Sequence, residues 1–295
     1  MAPAAIPVGI CLTTIGVDAP WWIAAARRAE AAGFADVWAW DHFVSRGRLT
    51  DPVLECWTLL AAAAATTERI GIGSFVTNVM NRHPAVLARS VATVASLAPG
   101  RVRLGIGIGG HPAEHRAYGI PWPLPAERVE HLDEAVRVLR LLLAGGPADH
   151  PGPRYPLAGA YAFPAPDPVP PIVIGGETSA GARLAARIGD AWTCMAETFE
   201  RDLPVYLDAL AAAGRRRADV RILVGLATDP ADGGRHDPVL ADLGAAAAAW
   251  AARGADAIVL RWVRPAELDA ALAAAERAGL GMPAGARHPS AADVR

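Results

Sequence analysis

The stretch LGIGIGGHPAEHRAYG, residues 104–119, is an apolar run that ends in closely spaced glycines and turns into a polar segment carrying two histidines. It predicts a buried strand that opens into a site. Gly105, Gly107, Gly109 and Gly110 remove side chains where the strand leaves its sheet, so the backbone there can approach a flat or phosphorylated ligand closely. The run is not the dinucleotide-binding fingerprint. The third glycine is missing at the required spacing, and Pro112 is expected to interrupt a helix directly after it.

Outward from this stretch, short apolar or β-branched runs alternate with alanine-rich helical segments over the whole chain, the pattern of parallel strands joined by crossover helices. Strands are expected at 8–12, 36–39, 70–75, 102–108, 172–174, 191–194, 221–226 and 257–260. Helices are expected at 19–32, 52–67, 84–97, 125–144, 179–188, 199–213, 238–253 and 265–278. Pro52, Pro84, Pro125, Pro238 and Pro265 fall at or near first-turn positions, where a missing N–H costs nothing, and glycines follow several helices. Eight βα units in a chain of this length indicate a (β/α)8 TIM barrel, with a doubly wound sheet as the alternative. Residues 1–282 read as one barrel domain with a proline- and glycine-rich insertion at 145–171, either a lid or decoration. Residues 283–295 read as a frayed tail.

Composition narrows the function. The 295 residues are 53% hydrophobic, enough for a large core. All 28 basic residues are arginine, which excludes Schiff-base lysine chemistry and a P-loop lysine. A net charge of −2 with one basic cluster, Arg215 to Arg217, argues against nucleic-acid binding. Three scattered cysteines make neither a disulfide framework nor a zinc knuckle, and a reducing, cytoplasmic setting is expected. The opening MAPAAIPVGICL lacks a positive leader region and reads as the first strand, and no apolar run is long enough to cross a bilayer.

In such barrels the site lies at the carboxyl ends of the strands. After the second strand come Asp41 and His42; an imidazole titrates near neutrality and suits proton transfer, although the pair also suits capping of the next helix. After the third come Ser74, Phe75 and Thr77, and after the fourth the glycines with His111, Glu114 and His115. His111 and His115 are four apart, a metal-like spacing, but Pro112 disfavours a regular helix through the first and no further ligand set is evident, so no metal is expected. Gly176, Glu177, Thr178 and Ser179 open a helix directly after a strand, which makes either a phosphate cradle or an ordinary N-cap.

Several segments together resemble the bacterial luciferase-like family, in particular its flavin- and deazaflavin-dependent (coenzyme F420) oxidoreductases: RRAEAAGFADVWAWDHF, TTERIGIGSFVTNVMNRHPAVLARSVATVASLAPGRVRLGIGIGGHPAEHRAYGIP, ERVEHLDEAVRVLRLLL and PPIVIGGETSAGARLAARIGDAW. They run in order from Arg27 to Trp192; the C-terminal third matches only in its βα rhythm. The resemblance implies a (β/α)8 barrel, usually dimeric, with the ring bound at the carboxyl face. Carried over, Asp41 contacts the cofactor and His42 is the proton donor. Ser74–Phe75 matches the place of a non-prolyl cis peptide that supports the ring, and Thr77, Ile108, Gly109 and Gly110 line it. Gly176, Glu177, Thr178 and Ser179 hold the phosphate. AspHis after the second strand leans toward deazaflavin members, which transfer hydride and do not activate oxygen. At Gly110 the sugar-phosphate dehydrogenases of the family carry a glutamate, and this chain does not.

The expected function is therefore a reductase that uses reduced coenzyme F420 to deliver hydride to a C=N or C=C bond of a small molecule, as a homodimer. The alternatives are a monooxygenase using reduced FMN and a non-catalytic cofactor-binding barrel.

Overall fold

A computed structural model describes residues 6–45, 48, 50–228 and 239–281. All eight expected strands form: β1 (Val8–Leu12), β2 (Asp36–Ala39), β3 (Gly71–Ser74), β5 (Val102–Gly107), β8 (Ile172–Gly175), β9 (Ala191–Met195), β10 (Arg221–Ala227) and β11 (Ala257–Val263). Each pairs in parallel with its neighbours, and pairing of β3 with β5 and of β1 with β11 closes the ring into a (β/α)8 barrel. A two-residue strand, β4 (Thr77–Asn78), extends the β3 side and pairs with the end of β5.

Strands buried on both faces read as continuous apolar runs rather than alternating ones, which is why they were legible. Cys11, Trp38, Phe75, Val173, Ala191, Leu223, Ala257 and Val259 pack the barrel interior. Trp38 dictates two of the glycines around it. A Cβ at Gly9 would lie 2.7 Å from its Nε1, and one at Gly73 would lie 2.4 Å from its Cζ3.

The helices cover the outside: α1 (Ala19–Ala31), α2 (Cys56–Thr66), α3 (Pro84–Leu97), α5 (Pro125–Leu143), α6 (Ser179–Ile188), α7 (Ala196–Ala212), α8 (Leu243–Ala252) and α9 (Pro265–Arg277). Pro84, Pro125 and Pro265 open their helices as expected, whereas Pro238 and the tail at 283–295 lie outside the described residues.

Three expectations need correction. Of the helix expected at 238–253, only Leu243–Ala252 forms among the described residues, opened by Asp242, which accepts Ala245 N–H at 2.8 Å. The second helix begins four residues late because residues 52–54 are used elsewhere: Pro52 O accepts Gly16 N–H, Val53 bridges Ile15, and Leu54 N–H reaches Thr14 O. Glu55 then caps α2 by accepting Thr58 N–H at 2.7 Å. Pro112, expected to interrupt, instead opens an additional helix, α4 (Pro112–Tyr118), with His111 at its N-cap. A proline is harmless at that first position because its N–H would have no helical partner.

The 145–171 segment contains an antiparallel hairpin, β6 (Ala148–His150) and β7 (Leu157–Ala160). It is anchored to α5 by the buried Glu134, whose Oε1 accepts Arg154 N–H at 3.0 Å and Tyr155 N–H at 2.8 Å. Tyr155 also meets His131, hydroxyl to Nδ1, at 2.8 Å.

Candidate active site

The carboxyl ends of the barrel strands carry half-buried apolar groups from distant parts of the chain: Trp40, Val76, Ile108, Met195 and Trp262. Val76 follows the cis peptide Phe75–Val76, one bond beyond the position expected from the sequence. Its side chain sits among glycines of two other strands. A Cβ at Gly107 or at Gly175 would lie 2.9 Å from Val76 Cγ2, and a Cβ at Gly105 would lie 1.8 Å from the Ser74 carbonyl oxygen. The glycines of the opening motif therefore make room for the 74–76 bulge.

Ser74 and Thr77 are fully buried behind this bulge and brace it. Ser74 Oγ donates to Gly105 O at 2.7 Å and accepts from Thr77 Oγ1 at 2.9 Å, and Thr77 Oγ1 in turn accepts from Trp57 Nε1 at 3.1 Å. Phe75 packs edge-on against Trp38 in the interior below. Gly109 has φ +75°, and a Cβ there would lie 2.5 Å from Asn78 Oδ1; Gly110 is exposed at the rim.

Asp41 is buried with both oxygens engaged. Oδ1 accepts from Arg82 Nη2 and Oδ2 from Arg82 Nη1, each at 2.7 Å, and Oδ2 also accepts Asn78 N–H at 2.9 Å. Arg82 reaches Glu55 at 3.1 Å as well. Burial works against the Arg82 charge, but hydrogen bonding and charge from Asp41 outweigh it and push the guanidinium pKa upward. Asp41 thus ties the β2 loop to β4.

His42 stands at the rim. Its Nδ1 lies 3.2 Å from Glu114 Oε2, which also accepts Phe43 N–H at 2.7 Å and Val44 N–H at 3.3 Å. Burial alone would raise the Glu114 pKa, but the hydrogen bonds from His42, Phe43 and Val44 and the nearby imidazole hold it below the usual carboxylate range. Glu114 is therefore an anion that fixes the His42 ring through Nδ1. Trp40 lies edge-on to His42 with centroids 5.4 Å apart, and Trp262 lies edge-on to Trp40 at 5.2 Å. Trp262 adopts φ +61°, a backbone state uncommon for a bulky residue. Beside it the buried Arg261 stacks 4.2 Å over the Trp262 ring and pairs with Glu197.

His115 does not join His111. It is buried under Trp122, with Nε2 accepting from Asn78 Nδ2 at 2.7 Å, and burial pushes its pKa down, so it is neutral at pH 7. Trp122 is in turn covered by the Arg128 guanidinium and serves packing. Tyr118 donates its hydroxyl to Phe43 O at 3.3 Å. Cys11 faces the interior, and burial pushes its thiol up to about 12, which removes it as a nucleophile.

At α6, Thr178 Oγ1 caps the helix by accepting Gly181 N–H at 3.2 Å, and Ser179 Oγ donates to Asp202 Oδ1 at 2.9 Å. Both hydroxyls have structural work. What this end offers an anion is backbone N–H groups and the positive end of the helix. Gly176 sits against the α6 backbone, where a Cβ would lie 2.8 Å from Gly181 C. Glu177 is exposed, with its carbonyl held by Arg201.

The sequence reading missed Val76, Arg82 and the pairing of Glu114 with His42. Val76 had a weak signal, as the next residue in a marked turn. The other two pair with residues 41 and 72 positions away, and no local pattern encodes that.

Comparison with known proteins gives the family and the fold. A sequence model of the luciferase-like monooxygenases matches residues 21–233. An F420-dependent glucose-6-phosphate dehydrogenase of Beutenbergia cavernae is 33% identical over 202 residues, 66% of this chain and 60% of that protein. An F420-dependent hydroxymycolic acid dehydrogenase of Mycobacterium tuberculosis is 32% identical over 232 residues, 76% of this chain and 64% of that protein. The chain spans about three fifths of the length of the curated relatives it matches. An F420-dependent secondary alcohol dehydrogenase superposes with TM-score 0.81 at 21% identity, covering 94% of this chain and 99% of that one. A coenzyme F420-dependent tetrahydromethanopterin reductase from Methanopyrus kandleri superposes with TM-score 0.73 at 19% identity, covering 92% and 98%. At these identities the superpositions speak to the shared barrel.

Proposed function

Because the chain belongs to the luciferase-like monooxygenase family, we propose that it is an oxidoreductase using coenzyme F420, which in reduced form delivers hydride to a C=N or C=C bond of a small molecule. The observation that carries this reading is the His42–Glu114 pair at the rim of an apolar barrel mouth. The relatives named F420-dependent dehydrogenases support the choice of cofactor.

The residues fit a flat, phosphorylated cofactor. Val76, flanked by Gly105, Gly107 and Gly175, offers a narrow apolar support for a ring, and a side chain on any of the three glycines would close it. Ile108, Gly109 and Gly110 make the adjoining rim, and Glu177, Thr178 and Ser179 present helix-end N–H groups to a phosphate, while Gly176, whose N–H is held by Thr193 O at 3.0 Å, lets the chain pass close to the start of α6. When bound, a deazaflavin supplies a hydride and no oxygen chemistry. His42 gives a proton from Nε2 to the acceptor, and Glu114 holds the ring in place. Asp41, with Ser74, Thr77 and Phe75, holds the supporting loops and bulge.

A second reading, oxidation of an alcohol, is favoured by the same pair, since an imidazole backed by a buried carboxylate is also a base. Exposed Val86 and Leu97 on α3, with Tyr161, Phe163 and Val169 of the insertion, support a homodimer, which light scattering tests. The three cysteines are buried and unpaired, in keeping with a reducing, cytoplasmic setting.

Binding of purified protein to reduced F420 and to reduced FMN, followed by fluorescence, tests the cofactor; failure to bind F420 sinks the proposal. Oxygen uptake with reduced FMN would instead support a monooxygenase. His42→Ala is expected to lower the rate by about 100- to 10,000-fold with little change in cofactor affinity. A protein that binds cofactor but turns over no candidate acceptor or alcohol is a binding barrel.

A further inference from the structure

We propose that His42, His111 and Glu114 form a site for a divalent transition metal, Zn2+ foremost, at the barrel mouth, and that its occupancy takes His42 out of proton transfer. The second half rests on the function proposed above; the first does not.

One ligand atom from each of the three residues lies within 4.8 Å of the other two. His42 Nδ1 and Glu114 Oε2 are already 3.2 Å apart, close to the roughly 3.3 Å edge of a tetrahedron with metal bonds of about 2.0–2.1 Å. The rings of His42 and His111 meet edge to face with centroids 6.0 Å apart, so modest rotation of two half-buried imidazoles closes the remaining distance.

An independent observation on Glu114 points to a ligand. Its Oε2 takes the hydrogen bonds from His42, Phe43 and Val44, while Oε1, on the same fully buried carboxylate, has no hydrogen-bond partner. An orphaned oxygen on a buried anion is costly, and a cation beside it removes that cost. Two imidazoles and one carboxylate with open positions suit Zn2+, Co2+ or Ni2+, whereas Mg2+ and Ca2+ prefer oxygen cages. The ligands come from two segments, His42 in the loop beyond β2 and His111 with Glu114 at the start of helix α4, so a bound ion would clamp them together. The helical i, i+4 pair suggested by the sequence is not the site, since His115 is turned to Asn78.

The test uses the whole chain, stripped of metal and free of cofactor. Zn2+ binding is followed by calorimetry, and Co2+ binding by visible absorption. One ion per chain and a tetrahedral Co2+ band are expected. His111→Leu should weaken Zn2+ binding by more than the roughly 10- to 100-fold typical of losing an outer-shell partner. His111→Cys, which supplies a thiolate ligand, should restore it, and His150→Gln, remote from the site, should bind like the parent chain. Circular dichroism confirms that each variant is folded. Absence of a Co2+ band, or equal Zn2+ affinity in folded His111→Leu, overturns the site. In turnover assays Zn2+ should inhibit at the concentrations that fill the site; unimpaired turnover by the Zn2+-loaded chain overturns the second half. Binding without any turnover in metal-free protein would count against the proposed function and leave the metal site standing.

Discussion

Replacing Asp41 by asparagine changes one oxygen to an amide and should cost about 3 kcal/mol of folding stability. Breaking a buried ion pair by removing one partner typically costs about 3–5 kcal/mol, because the other charge is left without compensation. Here the lower end applies, since the Arg82 side chain is 12% exposed and keeps Glu55 at 3.1 Å. About 3 kcal/mol is roughly two powers of ten in the folding constant. The assay is urea unfolding of the parent, Asp41→Asn, Arg82→Gln and the double variant. Because the two residues share two 2.7 Å hydrogen bonds, the double variant should cost at least about 1 kcal/mol less than the sum of the singles. Additivity within about 0.5 kcal/mol would refute the reading that Asp41 is a positioning residue held by Arg82. So would unchanged stability together with lost cofactor affinity, the signature of a direct cofactor contact.

Gly105→Ala should destabilise by about 1–3 kcal/mol or more, because its Cβ would meet the Ser74 carbonyl oxygen at 1.8 Å, whereas Gly107→Ala meets the movable Val76 side chain at 2.9 Å and should cost less; thermal melts that show equal losses contradict this. Glu134→Ala removes the acceptor of the Arg154 and Tyr155 N–H groups, so it should cost about 1–3 kcal/mol and speed protease cleavage within residues 145–171, read by mass spectrometry. Acid should destabilise the chain progressively. Burial holds His115 and His131 below the ordinary histidine range, and hydrogen bonds outweigh burial to hold Glu30, Glu114 and Glu134 below the carboxylate range. In each case the unfolded chain binds more protons, so stability is present above the unfolded pKa and is lost as pH falls from about 6.5 through the carboxylate range. Urea midpoints that rise between pH 7 and pH 5 would contradict that sign.

The barrel was legible in the sequence because each of its parts is a local event. A parallel strand buried on both faces must be apolar along its length, and a helix laid over it must carry a stripe, so the eight units could be counted without their contacts. Glycine runs and a glycine-led helix start likewise announce close backbone approach wherever they occur. Even the errors at Pro52 and Pro112 were local: proline opens a helix or stands just outside one, and neighbours such as Ile15 decide which.

The site was only half written in this way. AspHis identified its own position, but what the two residues do depends on groups far along the chain. Arg82, 41 residues on, makes Asp41 a buried anchor, and Glu114, 72 residues on, fixes the orientation of the His42 ring. Sequence by itself determined the barrel, the end at which its candidate site lies and the residue types gathered there. Tertiary structure alone decided which polar groups pair, because the energy of a buried charge depends on the few atoms touching it and not on its neighbours in the chain.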